Sequence, residues 1–191
     1  MARKRGLDHE AVLAAGFSIL DDAGADGVTL RAVADRLQIQ SPSLYSHVAG
    51  LPGLLDDLAI AATEAFGAAL RDSAVGVAGD DAVRAFAAAY RRWATEHPAR
   101  YELTLRSVDR PERRRAGIGA VETMDAILAH YGLDTPEAHR VGRSLRASLH
   151  GFVSLQAADA LGRGDHDASF EALVDLFLDG LRGRLVARSG A

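Results

Sequence analysis

The chain has no cysteine, so neither a disulfide nor a thiolate-bound metal enters its chemistry. Lysine is almost missing. Lys4 is the only one among 22 basic residues, which leaves arginine as the general surface cation. No stretch approaches the roughly 20 consecutive apolar residues of a membrane span. The opening MARKRGLDHE has no apolar run behind its charges and does not read as a signal peptide. These absences predict a cytoplasmic protein with no membrane partner. No large excess of charge is present either. The formal net charge of −4 advertises neither a nucleic acid nor a lipid surface. Catalytic devices are also missing. No His and carboxylate pair has a trustworthy metal-ligand spacing, and there is no phosphate loop or paired-carboxylate arrangement. His150 shares a predicted helix with Ser148 and Ser154, but nothing resembling a nucleophile elbow or oxyanion hole accompanies them. The sequence therefore reads as a non-enzyme with no cofactor and no metal.

What is present is helical periodicity. At 191 residues and 48% apolar composition the chain can bury a sizeable core in one or two units. Asp8 can cap a helix to about Ala23, with Val12, Leu13, Gly16, Phe17 and Leu20 on one face and Gly24 as its stop. Thr29 caps the next, whose inward face is Leu30, Val33, Ala34 and Leu37. Ser41 caps a short third helix, with Pro42 at its first position, ending near Val48. Further helices are expected over about 52–73, 80–97, 99–108, 111–131, 135–161 and 167–188. The expectation is all-α, about nine helices, with a small unit over 1–50 and a larger helical body over 51–191.

The second and third helices carry the strongest signal. A helix of about eight residues, a turn of three or four, and a short helix make the spacing of a helix-turn-helix. Ala34 is small enough for the two to cross closely, while Ile39, Leu44 and Val48 point back to the first helix. Gln40, Ser41, Pro42, Ser43, Tyr45, Ser46 and His47 remain for the outer face. Such a face suits a major groove, with hydroxyl, phenol and imidazole tips for phosphates and Gln or Ser for base edges. Spacing alone equally allows a plain helical hairpin with a polar surface. Arg3, Lys4 and Arg5 form a basic arm, either a solvated tail or a strand-hugging extension of a DNA reader.

The residues that favour the DNA reading are the apolar face of 12–20, Gly27-Val28-Thr29, Arg31, Val33-Ala34, Ser43-Leu44-Tyr45, His47-Val48 and Leu54-Leu55. In this pattern the first 60 or so residues resemble the DNA-binding domain of the TetR family of bacterial transcriptional regulators. SPSLYSHV is similar to the tetracycline-repressor branch in particular. The resemblance implies phosphate contacts for Thr29, Ser43, Tyr45 and His47. It implies base-edge positions for Arg31, Gln40, Ser41, Pro42 and Ser46. Two departures stand out. Gln38 occupies a place where most of the family has a glycine at positive φ, and Leu51 one where the family has a phosphate-gripping lysine. A non-glycine at positive φ costs about 1–2 kcal/mol, and a missing phosphate contact makes binding less salt-dependent.

The body is less legible. YRRWATEHPARYELTL and SLHGFVSLQAADAL resemble a TetR subgroup marked by a tryptophan and a His-Gly pair, here Trp93, His150 and Gly151. Phe86, Tyr90, Trp93, Tyr101, Leu105, Met124, Ile127, Leu128 and Tyr131 are large and mostly apolar. They are core, or in part the walls of a ligand pocket with Tyr90, His97, Tyr101 and His150 as polar contacts. In the last two helices, Gly151, Ala158 and Gly180 allow close approach, while Phe152, Leu155, Phe177, Leu181 and Leu185 offer apolar area. They form either an intrachain core or a homodimer interface. The Arg110–Arg115 run reads as a solvated loop and helix start. The expected partners are a palindromic double-stranded operator DNA, a small apolar or amphipathic effector and a second copy of the chain. The expected action is that of a repressor. An activator, or a sensor or scaffold with weakened DNA binding, stays open.

Overall fold

The computed structural model describes residues 7–189. Arg3, Lys4 and Arg5 lie outside the described residues, and so does the side chain of Leu185. Among the described residues there are only helices. They are α1 (His9–Gly27), α2 (Leu30–Leu37), a 3-10 helix (Ser41–Ser46), α3 (Gly50–Ser73) and α4 (Gly79–Glu96), then α5 (Pro98–Thr104), α6 (Pro111–Ala129), α7 (Thr135–Ala157) and α8 (His166–Ser189). None is long and apolar enough to cross a membrane.

Local chemistry explains most of the boundaries. Asp8 Oδ1 accepts the Ala11 amide at 2.8 Å, and Thr29 Oγ1 accepts that of Ala32 at 3.0 Å, so both expected caps form. Gly24 breaks the helical path at φ 71°, and the chain turns once more before Val28. The expected cap at Ser41 does not form. Gln40 precedes the 3-10 helix without a side-chain bond, Ser41 is its first residue and Pro42 its second. The third helix is a 3-10 helix and not an α-helix. Its opening bond runs from the Ser43 amide to the Gln40 carbonyl at 2.9 Å, and its last from His47 to Leu44 at 2.8 Å.

Two helices end in the same way. After α2 the amide of Ile39 reaches back to Ala34 at 3.0 Å, and that of Gln38 to Asp35 at 3.2 Å. After α7 the amide of Ala160 reaches Leu155 at 2.8 Å, and that of Asp159 reaches Gln156 at 3.1 Å. These are Schellman closures, with Gln38 (φ 56°) and Asp159 (φ 52°) in the left-handed position that glycine normally takes. The second closure ends α7 at Ala157, four residues short of the expected 161.

The chain divides into two compact units. Unit 1 comprises residues 1–64 and 99–116; unit 2 comprises 65–98 and 117–191. Sequence reading closed the first domain at residue 50. Unit 1 continues into α3 and recruits a distant segment as well. Its core is Val12, Ile19, Leu20, Val33, Leu44, Leu54 and Leu58. Burying each such side chain stabilises by about 1.5–3 kcal/mol. Gly16 lets Leu58 in closely, since a Cβ there would sit 3.1 Å from its methyl groups. In unit 2, α4 packs on α7 and α8, which also pack on each other. Phe66 meets Tyr90 edge-on and Trp93 at a tilt, with centroids 5.0 and 4.8 Å apart. Arg91 lies over Phe152 and Phe170, held by Gln156 at 2.9 Å and Asp167 at 2.8 Å.

Candidate functional site

The 3-10 helix separates its side chains by solvent. Leu44 is fully buried and Val48 nearly so, both facing the unit 1 core. Tyr45 is 63% exposed, and Gln40, Pro42, Ser43 and Ser46 are exposed beside it. Ser41 and His47 are half-buried. One turn of an i→i+3 helix keeps the hydroxyls of Ser43 and Ser46 on one side, and Ser46 Oγ donates to the Ser43 carbonyl at 2.8 Å. Of the residues expected outside, Gln40, Pro42, Ser43, Tyr45 and Ser46 are exposed; of those expected inside, Leu44 and Val48 are buried and Ile39 is half-buried.

Two more of those residues lie at the start of α2, Thr29 as its N-cap and Arg31 in its first turn. Thr29 is exposed, its hydroxyl oxygen engaged by the Ala32 amide. Arg31 stands 89% exposed and meets Asp35, at 3.7 Å, one turn along its own helix. An exposed i,i+4 pair of this kind contributes about 0.3–0.5 kcal/mol, so the guanidinium is readily given to another acceptor. Gln38 takes the left-handed conformation at the end of α2, φ 56° and ψ 43°, the position where the sequence resemblance expected a glycine. Leu51 is half-buried in the first turn of α3 and brings no cation to it.

A contact missed in the sequence supports the short helix from behind. His9 Nδ1 lies 3.2 Å from the His47 carbonyl oxygen, a hydrogen bond when Nδ1 carries the proton. Its Nε2 lies 3.8 Å from Asp57, which in turn accepts from Arg110. Arg106 Nε donates to Asp56 at 3.0 Å. Arg100 Nε donates to Asp21 at 2.9 Å while its guanidinium lies 4.5 Å above the Phe17 ring. Arg113 donates to the Thr104 carbonyl at 2.6 Å. The Arg110–Arg115 run is thus not a solvated stretch throughout, because Arg110 and Arg113 are tied into unit 1. The i,i+4 spacing of Arg106 and Arg110 against the Asp56-Asp57 doublet was the available signal.

The expected pocket residues are mainly core. Phe86, Tyr90, Trp93, Met124, Ile127, Leu128 and Tyr131 are buried within unit 2, and Tyr101 within unit 1. Leu105 follows the end of α5 and is 46% exposed, so it lines no interior wall. His150 is half-buried, with Nδ1 3.3 Å from Ser154 Oγ, and His97 stacks edge-on against Trp93. Tyr131 donates to Asp80 at 2.6 Å, and Arg182 Nε to the same carboxylate at 2.8 Å. Those bonds, Tyr131 first and Arg182 second, lower the Asp80 pKa. Burial and the Asp80 bond raise that of Tyr131.

The expected interface residues split. Phe152 and Leu181 are buried in the chain itself, Phe152 against Phe170 at 5.1 Å, so they offer no free apolar area. Leu155, Ala158 and Gly180 are exposed, while Gly151 and Phe177 are half-buried. Leu176, which sequence reading passed over, is 74% exposed. It joins Phe177, Gly180, Arg140 and Arg184 around a surface cleft of about 440 Å³ between α7 and α8.

Residues 83–177 match the family model described as "Tetracyclin repressor-like, C-terminal domain". An uncharacterized HTH-type transcriptional regulator of Mycobacterium tuberculosis is 34% identical over 187 residues, which cover 96% of this chain and 86% of that one. Among solved structures, a protein of unknown function from Rhodococcus sp. RHA1 has the same fold. Its TM-score is 0.82 at 23% identity, with 94% of this chain and 98% of that one covered. A variant of TetR from Acinetobacter baumannii AYE in complex with minocycline is 26% identical. Its TM-score is 0.70 over 92% of this chain and 97% of its own.

Proposed function

The chain belongs to the TetR family of DNA-binding transcriptional regulators, and from that premise we propose that it is a cytoplasmic, dimeric repressor released from a palindromic operator by a small effector. The observation that carries this reading is the division of the 3-10 helix. Leu44 and Val48 anchor it, Gln40, Pro42, Ser43, Tyr45 and Ser46 face solvent, and the guanidinium of Arg31 on α2 is exposed as well. In this reading Thr29, Ser43, Tyr45 and His47 bind phosphates. Arg31, Gln40, Ser41, Pro42 and Ser46 face base edges, with Arg31 pairing bidentately with a guanine. Arg3, Lys4 and Arg5 reach along the backbone or into the minor groove.

A palindrome calls for a two-fold dimer, and the exposed Leu155, Leu176 and Gly180 of α7 and α8 favour that face as the contact. The effector binds the body and acts only through unequal affinity for the DNA-competent and DNA-incompetent states. The minocycline complex of the Acinetobacter relative supports a small-molecule effector here. The left-handed Gln38 supports a DNA reader over a scaffold with weakened binding, because the turn keeps its form at an energetic cost.

A gel shift with a palindromic operator, with and without effector, tests the proposal. Arg31→Ala together with Tyr45→Ala abolishes the shift. Undiminished binding by that double variant would sink the assignment of the reading face.

A further inference from the structure

Arg71 and His130 border a cleft in unit 2 that the proposed reading face does not use. The cleft is open to solvent on one side and has a volume of about 540 Å³, comparable to small-molecule sites. Val75, Val77, Ala126 and Ile127 form apolar walls. No carboxylate lines it, in a chain with 26 acidic residues against 22 basic ones. Asp80, beside the lining residue Gly79, is turned to Tyr131 and Arg182 instead.

Two glycines leave room for the basic groups. A Cβ at Gly79 would sit 3.0 Å from His130 Nε2, at a φ of 58° that side chains avoid. A Cβ at Gly119 would overlap Arg71 Nη1, so the guanidinium rests on bare α6 backbone. Arg84, Arg91, Arg100, Arg106, Arg110 and Arg182 each take a carboxylate. Arg71, like the exposed Arg92, Arg115, Arg143 and Arg146, takes no hydrogen bond or ion pair among the described residues; what sets it apart is the apolar cleft it borders. A guanidinium without a partner, beside an apolar cleft free of acids, is complementary to one anionic head on a short apolar body.

We propose that this cleft binds a small amphipathic carboxylate, its head on Arg71 with His130 alongside and its chain against Val75, Val77, Ala126 and Ile127. The inference gives the effector of the proposed function a chemical class and rests on that reading for its regulatory meaning.

Titration calorimetry of the full chain with decanoate, decanol and decyltrimethylammonium, each below its micelle concentration, tests it. Decanoate saturates one site per chain and binds at least about tenfold more tightly than decanol, a charge-assisted contact being the difference. The ammonium amphiphile binds more weakly still. Arg71→Gln brings decanoate to the level of decanol. Ala126→Phe, at an exposed position, fills the cleft and removes both. Circular-dichroism melts verify that the two variants fold. Decanoate binding no tighter than decanol, or unchanged in either folded variant, overturns the site. Operator binding is followed by gel shift in parallel. A chain that shifts operator but takes no decanoate loses the site and keeps the DNA reading. A chain that takes decanoate in this cleft but shifts no operator keeps the site and loses that reading.

Discussion

The amide of Ile39 closes back on the carbonyl of Ala34 at 3.0 Å, and the bond holds Gln38 in the left-handed region. The turn between α2 and the 3-10 helix therefore has the shape that a glycine would give it, with a side chain under strain. Gln38→Gly removes that strain, partly offset by greater freedom of the unfolded chain. The expected net gain is about 1 kcal/mol, seen as a rise of a few degrees in melting temperature. Operator affinity should be kept or improved. A destabilised Gln38→Gly would mean that the glutamine side chain makes a compensating contact.

Leu51 stands in the first turn of α3, and in the proposed reading a cation at this position would meet a phosphate. Leu51→Lys should tighten operator binding and steepen its dependence on log salt by about 0.9 for each subunit that gains a phosphate contact. Anisotropy measured across a salt series gives the slope. An unchanged slope would place residue 51 away from the backbone of the DNA.

Asp57 joins Arg110 to His9, and His9 reaches the carbonyl that ends the 3-10 helix. Asp57→Ala breaks this chain of contacts without altering any residue on the proposed reading face. The expected result is a loss on the order of 1 kcal/mol in stability, with weaker operator binding at an unchanged salt slope. Weakening accompanied by a shallower slope would instead make Asp57 or Arg110 part of the DNA contact.

Asp80 predicts a dependence on acid. Its carboxyl is held below the usual aspartate value by the Tyr131 hydroxyl first and by Arg182 second. Unfolding raises that value, so the unfolded chain binds more protons in this range. The stabilisation is complete above about pH 4 and is lost as pH falls through the folded value. Asp80→Asn should melt below the parent at neutral pH, and the gap should narrow steadily toward about pH 3. A gap that stays constant over that range would remove Asp80 from the acid response.

The helix-turn-helix was legible because its information is local. Caps at Asp8 and Thr29, a stop at Gly24, and the inward spacing of Leu44 and Val48 depend on residues within a few positions of one another. The short helix escaped an exact description, since Pro42 marks a helical start without deciding between α and 3-10 geometry. The body was harder to read because its large residues serve one another across long separations. Phe152 and Leu181 have the spacing of an interface stripe, yet Phe170 and the packing of α4 on α8 bury them inside the chain. Arg110 looked solvated because its partner Asp57 lies 53 residues away. The cleft at Arg71 left no trace in the sequence, for it depends on two glycines on other helices leaving space.

The chain leaves unit 1 after residue 64, returns at 99 and departs again after 116. In the proposed reading, the recognition module is accordingly not a cassette. A chimera that grafts residues 1–64 onto another family member's body brings Asp21, Asp56 and Asp57 but leaves Arg100, Arg106 and Arg110 behind. Transplanting operator specificity intact requires carrying the 99–116 segment with it, or supplying three arginines at the corresponding places in the recipient.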